Sequence, residues 1–206
     1  MANSISYLAL GDSYTIGEAV EEQYSFPYQL AEMLNSRDHK IAAPKIIAKT
    51  GWTTDELKDA IQQEQIAETF SLATLLIGVN NQYRGYSQDT YRKEFAELLE
   101  TAISFAGGKK ENVYVVSIPD WGVTAFAKQS GRDLKTISEE VDAFNQINKQ
   151  ETEARNVTYI DITPISRQAH KKQSLIANDG LHPSGKMYAE WAKLIATAIV
   201  EKIKPL

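Results

Sequence analysis

The chain has 206 residues, the usual length of one domain, so we predict a single domain over residues 1–206. Hydrophobic residues make up 43% and charged residues 24%, a composition typical of globular proteins and not of disordered ones. The formal net charge is −5 and no basic stripe is present, which argues against nucleic acid as a partner.

Cysteine is absent, which excludes disulfides, thiolate metal ligands and a cysteine nucleophile. The first residues lack the basic start and apolar run of a signal peptide. No apolar stretch approaches the roughly 20 residues that span a bilayer. We therefore expect a soluble chain with no membrane span, cytoplasmic by default, unless a longer precursor is exported. Nothing in the sequence indicates the oligomeric state.

Short apolar runs alternate along the chain with longer amphipathic stretches. The apolar runs predict buried strands at residues 5–10, 45–49, 71–77, 113–118 and 157–161. The amphipathic stretches predict helices at residues 24–34, 54–65, 88–106, 138–154 and from 184 to just before Pro205. This alternation predicts an α/β fold, a three-layer α/β/α sandwich with a five-stranded parallel sheet of the flavodoxin-like kind.

Local signals mark several helix ends. Thr53 and Glu56 have the spacing of a capping box, and Ser87 is a suitable N-cap. Pro27 is compatible with the first turn of a helix, because that turn needs no amide donor. The pair Gly107-Gly108 ends the helix that Ser87 begins.

Four polar segments follow strands or precede the last helix: Gly11-Asp12-Ser13, Thr50-Gly51-Trp52, Gly78-Val79-Asn80-Asn81 and Asp179-Gly180-Leu181-His182. The carboxyl ends of parallel strands share one edge of the sheet, where ligands bind in open α/β folds. Each segment taken alone is also a good turn or helix-cap sequence. Together they supply one candidate for each role in acyl transfer: a hydroxyl nucleophile, a base, a carboxylate that orients the base, and oxyanion donors.

These segments resemble the characteristic blocks of the SGNH (GDSL-type) hydrolase family. The first block corresponds to Gly11-Asp12-Ser13, the second-block glycine to Gly51, the third block to Gly78-Val79-Asn80-Asn81, and the last block to Asp179 and His182. The blocks occur in the family's order and span nearly the whole chain. The resemblance implies an SGNH-hydrolase fold, in agreement with the strand–helix alternation.

The resemblance also implies roles. Ser13 is then the nucleophile, His182 its general base and Asp179 the carboxylate that fixes the imidazole. The oxyanion hole would consist of the amides of Ser13 and Gly51 and the side-chain amide of Asn80. The implied activity is hydrolysis of small carboxylic esters, with short acyl or acetyl groups, through an acyl-enzyme.

Two positions depart from the family pattern. Tyr14 follows the first block where leucine is common, and Asn81 is the departure that matters. Asn81 stands where the third block usually has aspartate, so it cannot supply a carboxylate to anchor its loop. We expect weaker positioning of the loop and an intact role for Asn80.

Other candidate residues have weaker support. Asp12 suits a turn or packing hydrogen bond, and His39 and His170 lie in polar, lysine-bearing stretches typical of the surface. Five loop aromatics either line an acyl or sugar pocket or pack their loops: Trp52, Tyr83, Tyr86, Trp121 and Phe126. No cluster has metal-ligand spacing, so no metal or other cofactor is expected.

Two rival functions fit parts of the same pattern. An acyltransferase or thioesterase would use the same site and differ in its acceptor or in the ester it cleaves. A flavodoxin-like module could instead hold a phosphate or nucleotide on the amides that follow the first strand. That module would leave Asp179 and His182 without a shared purpose. The absence of a long apolar lid segment favours small soluble esters over lipid.

Overall fold

Parallel strands form the centre of the structure, a computed structural model that describes residues 4–36 and 40–202. The strands are β1 (Tyr7–Asp12), β2 (Lys45–Lys49), β3 (Leu72–Leu76), β4 (Val113–Val116) and β5 (Thr158–Ile160). Every residue of β1, β3 and β4 is buried, whereas β2 and β5 are only partly buried. This difference follows from the strand order β2-β1-β3-β4-β5, in which β2 and β5 are the edges.

The helices cover both faces of the sheet. They are α1 (Ser13–Ile16), α2 (Phe26–Asn35), α3 (Thr54–Glu64), α4 (Val79–Tyr83), α5 (Gln88–Phe105), α6 (Ala125–Gln129), α7 (Leu134–Ala154), α8 (Thr163–Arg167) and α9 (Gly185–Lys202). Crossovers between parallel strands are right-handed, so a reversal of direction along the sheet puts the connecting helix on the opposite face. Accordingly α2 packs with α9 on one face, while α5 packs between α3 and α7 on the other.

The strand order reverses at β1. The chain moves from β1 to β2 on one side and returns to β3 on the other, so the carboxyl ends of β1 and β3 flank a crevice. The register brings these ends level, because Gly11 of β1 is opposite Leu76 of β3 and Asp12 is opposite Lys49 of β2. The residues that follow each strand therefore meet at one place.

The structure confirms the predicted class, an α/β fold with a five-stranded parallel sheet flanked by helices. The capping box of α3 is formed as predicted, with Glu56 Oε2 accepting a hydrogen bond from the Thr53 amide at 2.9 Å. Helix α7 begins at Leu134, before the predicted start at residue 138, because the Asp133 side chain caps it. The stretch 120–135, which none of the predicted strands and helices covers, consequently contains α6 and the first residues of α7.

None of the helices within residues 4–36 and 40–202 combines the length and apolar character needed to cross a membrane.

Candidate active site

Ser13 is the first residue of α1, directly beyond β1. The turn is held by Asp12, whose Oδ1 accepts a hydrogen bond from the Tyr14 amide at 3.0 Å and so caps α1. Asp12 therefore has the turn role that the sequence suggested for it. Ser13 is almost fully buried and lines a cleft.

Asp179 and His182 form a compact unit ahead of α9. Asp179 Oδ1 accepts hydrogen bonds from the amides of Leu181 at 2.9 Å and His182 at 3.0 Å, and its Oδ2 lies 2.5 Å from His182 Nδ1. Burial acts to raise the pKa of Asp179. The hydrogen bonds from the imidazole and the two amides outweigh burial, so the pKa lies below its usual value. The carboxylate is thus ionised when it faces the imidazole.

The structure brings Ser13 and His182 together although 169 positions separate them in sequence. His182 Nε2 lies 3.1 Å from Ser13 Oγ, and the imidazole is mostly buried. The Tyr14 ring packs against it edge to face, with ring centroids 5.7 Å apart. Two backbone bonds hold the loop: the Ala177 amide donates to the His182 carbonyl, and the Phe126 amide to the Gly180 carbonyl.

Gly51 and Asn80 line the same cleft as Ser13 and His182. Asn80 lies in α4, and its Nδ2 donates to the Trp52 carbonyl at 2.9 Å. A primary amide has two N–H groups, so this bond fixes the side chain and leaves a second donor. All the residues that the sequence proposed for the site therefore converge at the carboxyl edge of the sheet.

Backbone conformation requires glycine at positions 51 and 78. Gly51 has φ +86° and Gly78 has φ +127°, values that L side chains rarely adopt. At Gly78 a Cβ would also collide with the Tyr91 hydroxyl, whereas at Gly51 it would meet only Arg84 at an ordinary distance. The glycine at 51 is thus explained by its left-handed conformation.

A cleft of about 180 Å³ opens beside the Ser13 hydroxyl. Its walls are mainly apolar: Tyr14, Val79, Tyr83, Trp121, Phe126 and Leu181. Three of the five loop aromatics considered from the sequence, Tyr83, Trp121 and Phe126, thus line the cleft. Trp52 instead packs against the core, and the Tyr86 hydroxyl faces Asp55.

The geometry described so far has a counterpart among known proteins. A family model, the GDSL-like lipase/acylhydrolase family, matches residues 9–190. The chain belongs to this family. The match confirms the resemblance to SGNH (GDSL-type) hydrolases. No curated protein sequence matches the chain.

Solved structures of other hydrolases share the fold of this GDSL-like hydrolase. A lipase/acylhydrolase from Enterococcus faecalis has 20% identity and a TM-score of 0.73, with 98% of each chain covered. An acetylxylan esterase from Geobacillus stearothermophilus, solved as a catalytic mutant, has 17% identity and a TM-score of 0.71, with 97% of each chain covered. The psychrotrophic esterase EstA from Pseudoalteromonas sp., inhibited by monoethylphosphonate, has 15% identity and a TM-score of 0.69, with 96% of this chain and 98% of that chain covered.

The sequence did not reveal how the cleft of the GDSL-like hydrolase is stiffened. Trp121 Nε1 donates to Gln82 Oε1 at 2.8 Å, and Gln82 Nε2 donates to Glu140 at 2.6 Å. Arg132 also donates to Glu140, and its guanidinium lies 5.6 Å from the centre of the Trp121 ring. None of these four residues belongs to a motif, and Gln82 is 39 positions from Trp121 and 58 from Glu140. The only sequence signal for the network is the position of Gln82 directly after the third block.

Of the remaining candidates, His170 does not line the cleft. His170 is exposed, as predicted, and His39 lies outside the described residues. Within residues 4–36 and 40–202, no group of three or more His, Asp or Glu side chains could hold a metal ion.

Proposed function

We propose that this chain is a serine esterase of the SGNH type that hydrolyses small carboxylic esters through an acyl-enzyme on Ser13. The observation that carries the proposal is the contact chain Ser13 Oγ–His182 Nε2–Asp179, at 3.1 Å and 2.5 Å. A serine hydroxyl is a weak nucleophile unless a neighbouring base removes its proton. The imidazole can do so here, because the Asp179 carboxylate holds its other nitrogen protonated.

The reaction then has two halves. Ser13 Oγ attacks the ester carbonyl while His182 Nε2 takes the hydroxyl proton, and collapse of the tetrahedral intermediate passes that proton to the departing alcohol. In the second half a water molecule gives a proton to His182 and attacks the acyl-enzyme, releasing the carboxylic acid and restoring the Ser13 hydroxyl.

The negative oxygen of each intermediate needs donors already in place. We assign this role to the amides of Ser13 and Gly51 and to the Asn80 N–H that does not bond to Trp52. In support, all three residues line the cleft beside His182.

The cleft favours a short acyl group. Its volume of about 180 Å³ is small beside the pockets of about 300–1,000 Å³ that enclose drug-sized ligands. Its walls are apolar, which suits the hydrocarbon part of an acyl group. Tyr83 is half-exposed and Phe126 partly exposed at the rim, so water has access to the acyl-enzyme, and this favours hydrolysis over transfer.

The test is a panel of p-nitrophenyl esters of increasing acyl length, run beside labelling with a fluorophosphonate probe. We expect acetate and other short esters to react fastest, and Ser13→Ala to lose roughly a million-fold in kcat together with all labelling. The matched control is Ser36→Ala, because Ser36 is exposed at the end of α2. Hydrolysis that survives Ser13→Ala at the wild-type rate would overturn the proposal. Transfer of the acyl group to an added alcohol in preference to water would instead identify an acyltransferase.

A further inference from the structure

The Asn81 side chain is fully buried and bonded on both sides to Thr54. Its Oδ1 accepts from the Thr54 amide at 3.1 Å, and its Nδ2 donates to Thr54 Oγ1 at 2.7 Å. Because a backbone amide can only donate, the atom that faces it must be Oδ1. The NH₂ group of Asn81 therefore points at the Thr54 hydroxyl.

The Thr54 hydroxyl has a second partner, the carboxylate of Glu94 on α5. A hydroxyl has a single proton, and a carboxylate can only accept. The hydroxyl therefore donates to Glu94 and must accept from residue 81. An aspartate at this position would place two carboxylates on one proton and leave a buried charged oxygen without a donor, which is strongly unfavourable.

Asn81 also connects the two halves of the proposed oxyanion hole. It lies in α4 next to Asn80, and its partner Thr54 lies three residues after Gly51. Asn80 bonds to Trp52 in the same segment, and Arg84 at the end of α4 donates to the Gly51 carbonyl at 2.6 Å. Of these links between α4 and residues 51–54, the two bonds of Asn81 are the most deeply buried.

We propose that Asn81 is a positioning residue that fixes Asn80 relative to the turn at Gly51. We further propose that position 81 requires an amide donor because the Thr54 hydroxyl uses its proton for Glu94. The inference rests on the proposed esterase function. It reverses the expectation from sequence that asparagine at this position anchors the loop less well than aspartate.

The test is a double-mutant cycle measured as kcat and KM on p-nitrophenyl acetate. Asn81→Asp should lower kcat by at least about tenfold with little change in KM, because a misplaced oxyanion donor acts on the transition state. Glu94→Gln alone should stay near wild type, since the carbonyl oxygen of the new amide can still accept from Thr54. The double variant should recover most of the lost kcat. Its new amide can donate to the Thr54 hydroxyl, which then donates to the new carboxylate on α4.

The control is Asn145→Asp. Asn145 is also a buried asparagine that bonds to a backbone amide and a threonine hydroxyl, those of Ile118 and Thr163, away from residues 51–54. The Asn145→Asp variant should unfold at a lower urea concentration than wild type and keep the wild-type kcat. If Asn81→Asp does not fold, Asn81→Ala replaces it and should show the same fall in kcat at unchanged KM.

The outcomes separate the two proposals. An Asn81 variant with wild-type kcat overturns the positioning role alone, and so does a loss in Asn81→Asp that the added Glu94→Gln change does not repair. A wild-type protein that hydrolyses no ester overturns the proposed function and the positioning role with it.

Discussion

At the scale of single residues, Asp12 is a buried carboxyl group directly beside Ser13, the proposed nucleophile. It is fully buried, its Oδ1 bonds to the Tyr14 amide, and within the described part of the chain its Oδ2 has no hydrogen-bond partner. Burial raises the pKa of Asp12 to about 7, although the hydrogen bond from Tyr14 opposes the shift. The fold therefore contains a carboxyl group that is partly protonated at neutral pH.

This pKa predicts a pH-dependent gain in stability for Asp12→Asn. A carboxyl that holds its proton more tightly when folded contributes fully below its unfolded pKa of about 4, and the contribution is lost as pH rises through 7. Asparagine keeps the acceptor for Tyr14 and does not ionise. The free energy of unfolding should be measured in urea at pH 4 and at pH 8. The difference between Asp12→Asn and wild type should shift in favour of the variant by roughly 4 kcal/mol from pH 4 to pH 8.

The control for this prediction is Asp59→Asn, because Asp59 is exposed on α3 and is solvated in both the folded and unfolded states. The difference in unfolding free energy between Asp59→Asn and wild type should change far less between the two pH values. If the two variants showed the same change with pH in unfolding free energy, the site of Asp12 would not strongly disfavour a charged carboxylate.

At the scale of elements, the sequence predicted each strand and each long helix, because those segments carry periodic apolar residues. It missed α1, α4, α6 and α8, which have four or five residues each and are too short to show a helical period. Such helices are stabilised by caps and tertiary contacts that no local pattern encodes. Two of them carry proposed site residues, Ser13 on α1 and Asn80 on α4. The motifs therefore predicted which residues converge, but the sequence did not predict the short helices that carry them.

The contact between α4 and the turn Trp121–Val123 carries a second prediction. Gln82 and Trp121 are both buried, and the indole N–H has Gln82 as its acceptor. Gln82→Met keeps the approximate volume and removes the acceptor, so the buried N–H is left unpaired. Unfolding in urea should show a loss of about 1–3 kcal/mol. KM should rise more for p-nitrophenyl butyrate than for the acetate, because Trp121 forms a cleft wall.

The matched control is the double variant Gln82→Met/Trp121→Phe, since phenylalanine has no N–H to satisfy. Removing both partners of a buried hydrogen bond is close to neutral in many proteins, so this variant should recover part of the stability lost by Gln82→Met. Trp121→Phe measured alone completes the cycle. A double variant whose loss of unfolding free energy equals the sum of the Gln82→Met and Trp121→Phe losses would show that the bond contributes nothing specific.

At the scale of the whole molecule, composition says less about function than the motifs do. That residues 1–206 form one domain, that the chain is cytoplasmic and that it does not bind nucleic acid stay predictions. Charge is different, because it acts over distances comparable to the size of the protein. The formal net charge is −5, and the half-buried Glu18 bonds to the hydroxyl of Thr50 on the wall of the cleft.

This charge predicts discrimination between esters by their own charge. An anionic ester, such as the p-nitrophenyl half-ester of succinic acid, approaches a negative protein and a carboxylate at the cleft, so its encounter is disfavoured at low salt. The Debye length shortens from about 30 Å at 0.01 M to about 3 Å at 1 M salt, which screens the repulsion. We therefore expect kcat/KM for the succinate ester to rise severalfold over this range while that for the acetate stays nearly constant. Glu18→Gln should weaken the dependence of kcat/KM on salt for the anionic ester. If salt changed the wild-type kcat/KM equally for both esters, the charge of the protein would not select substrates.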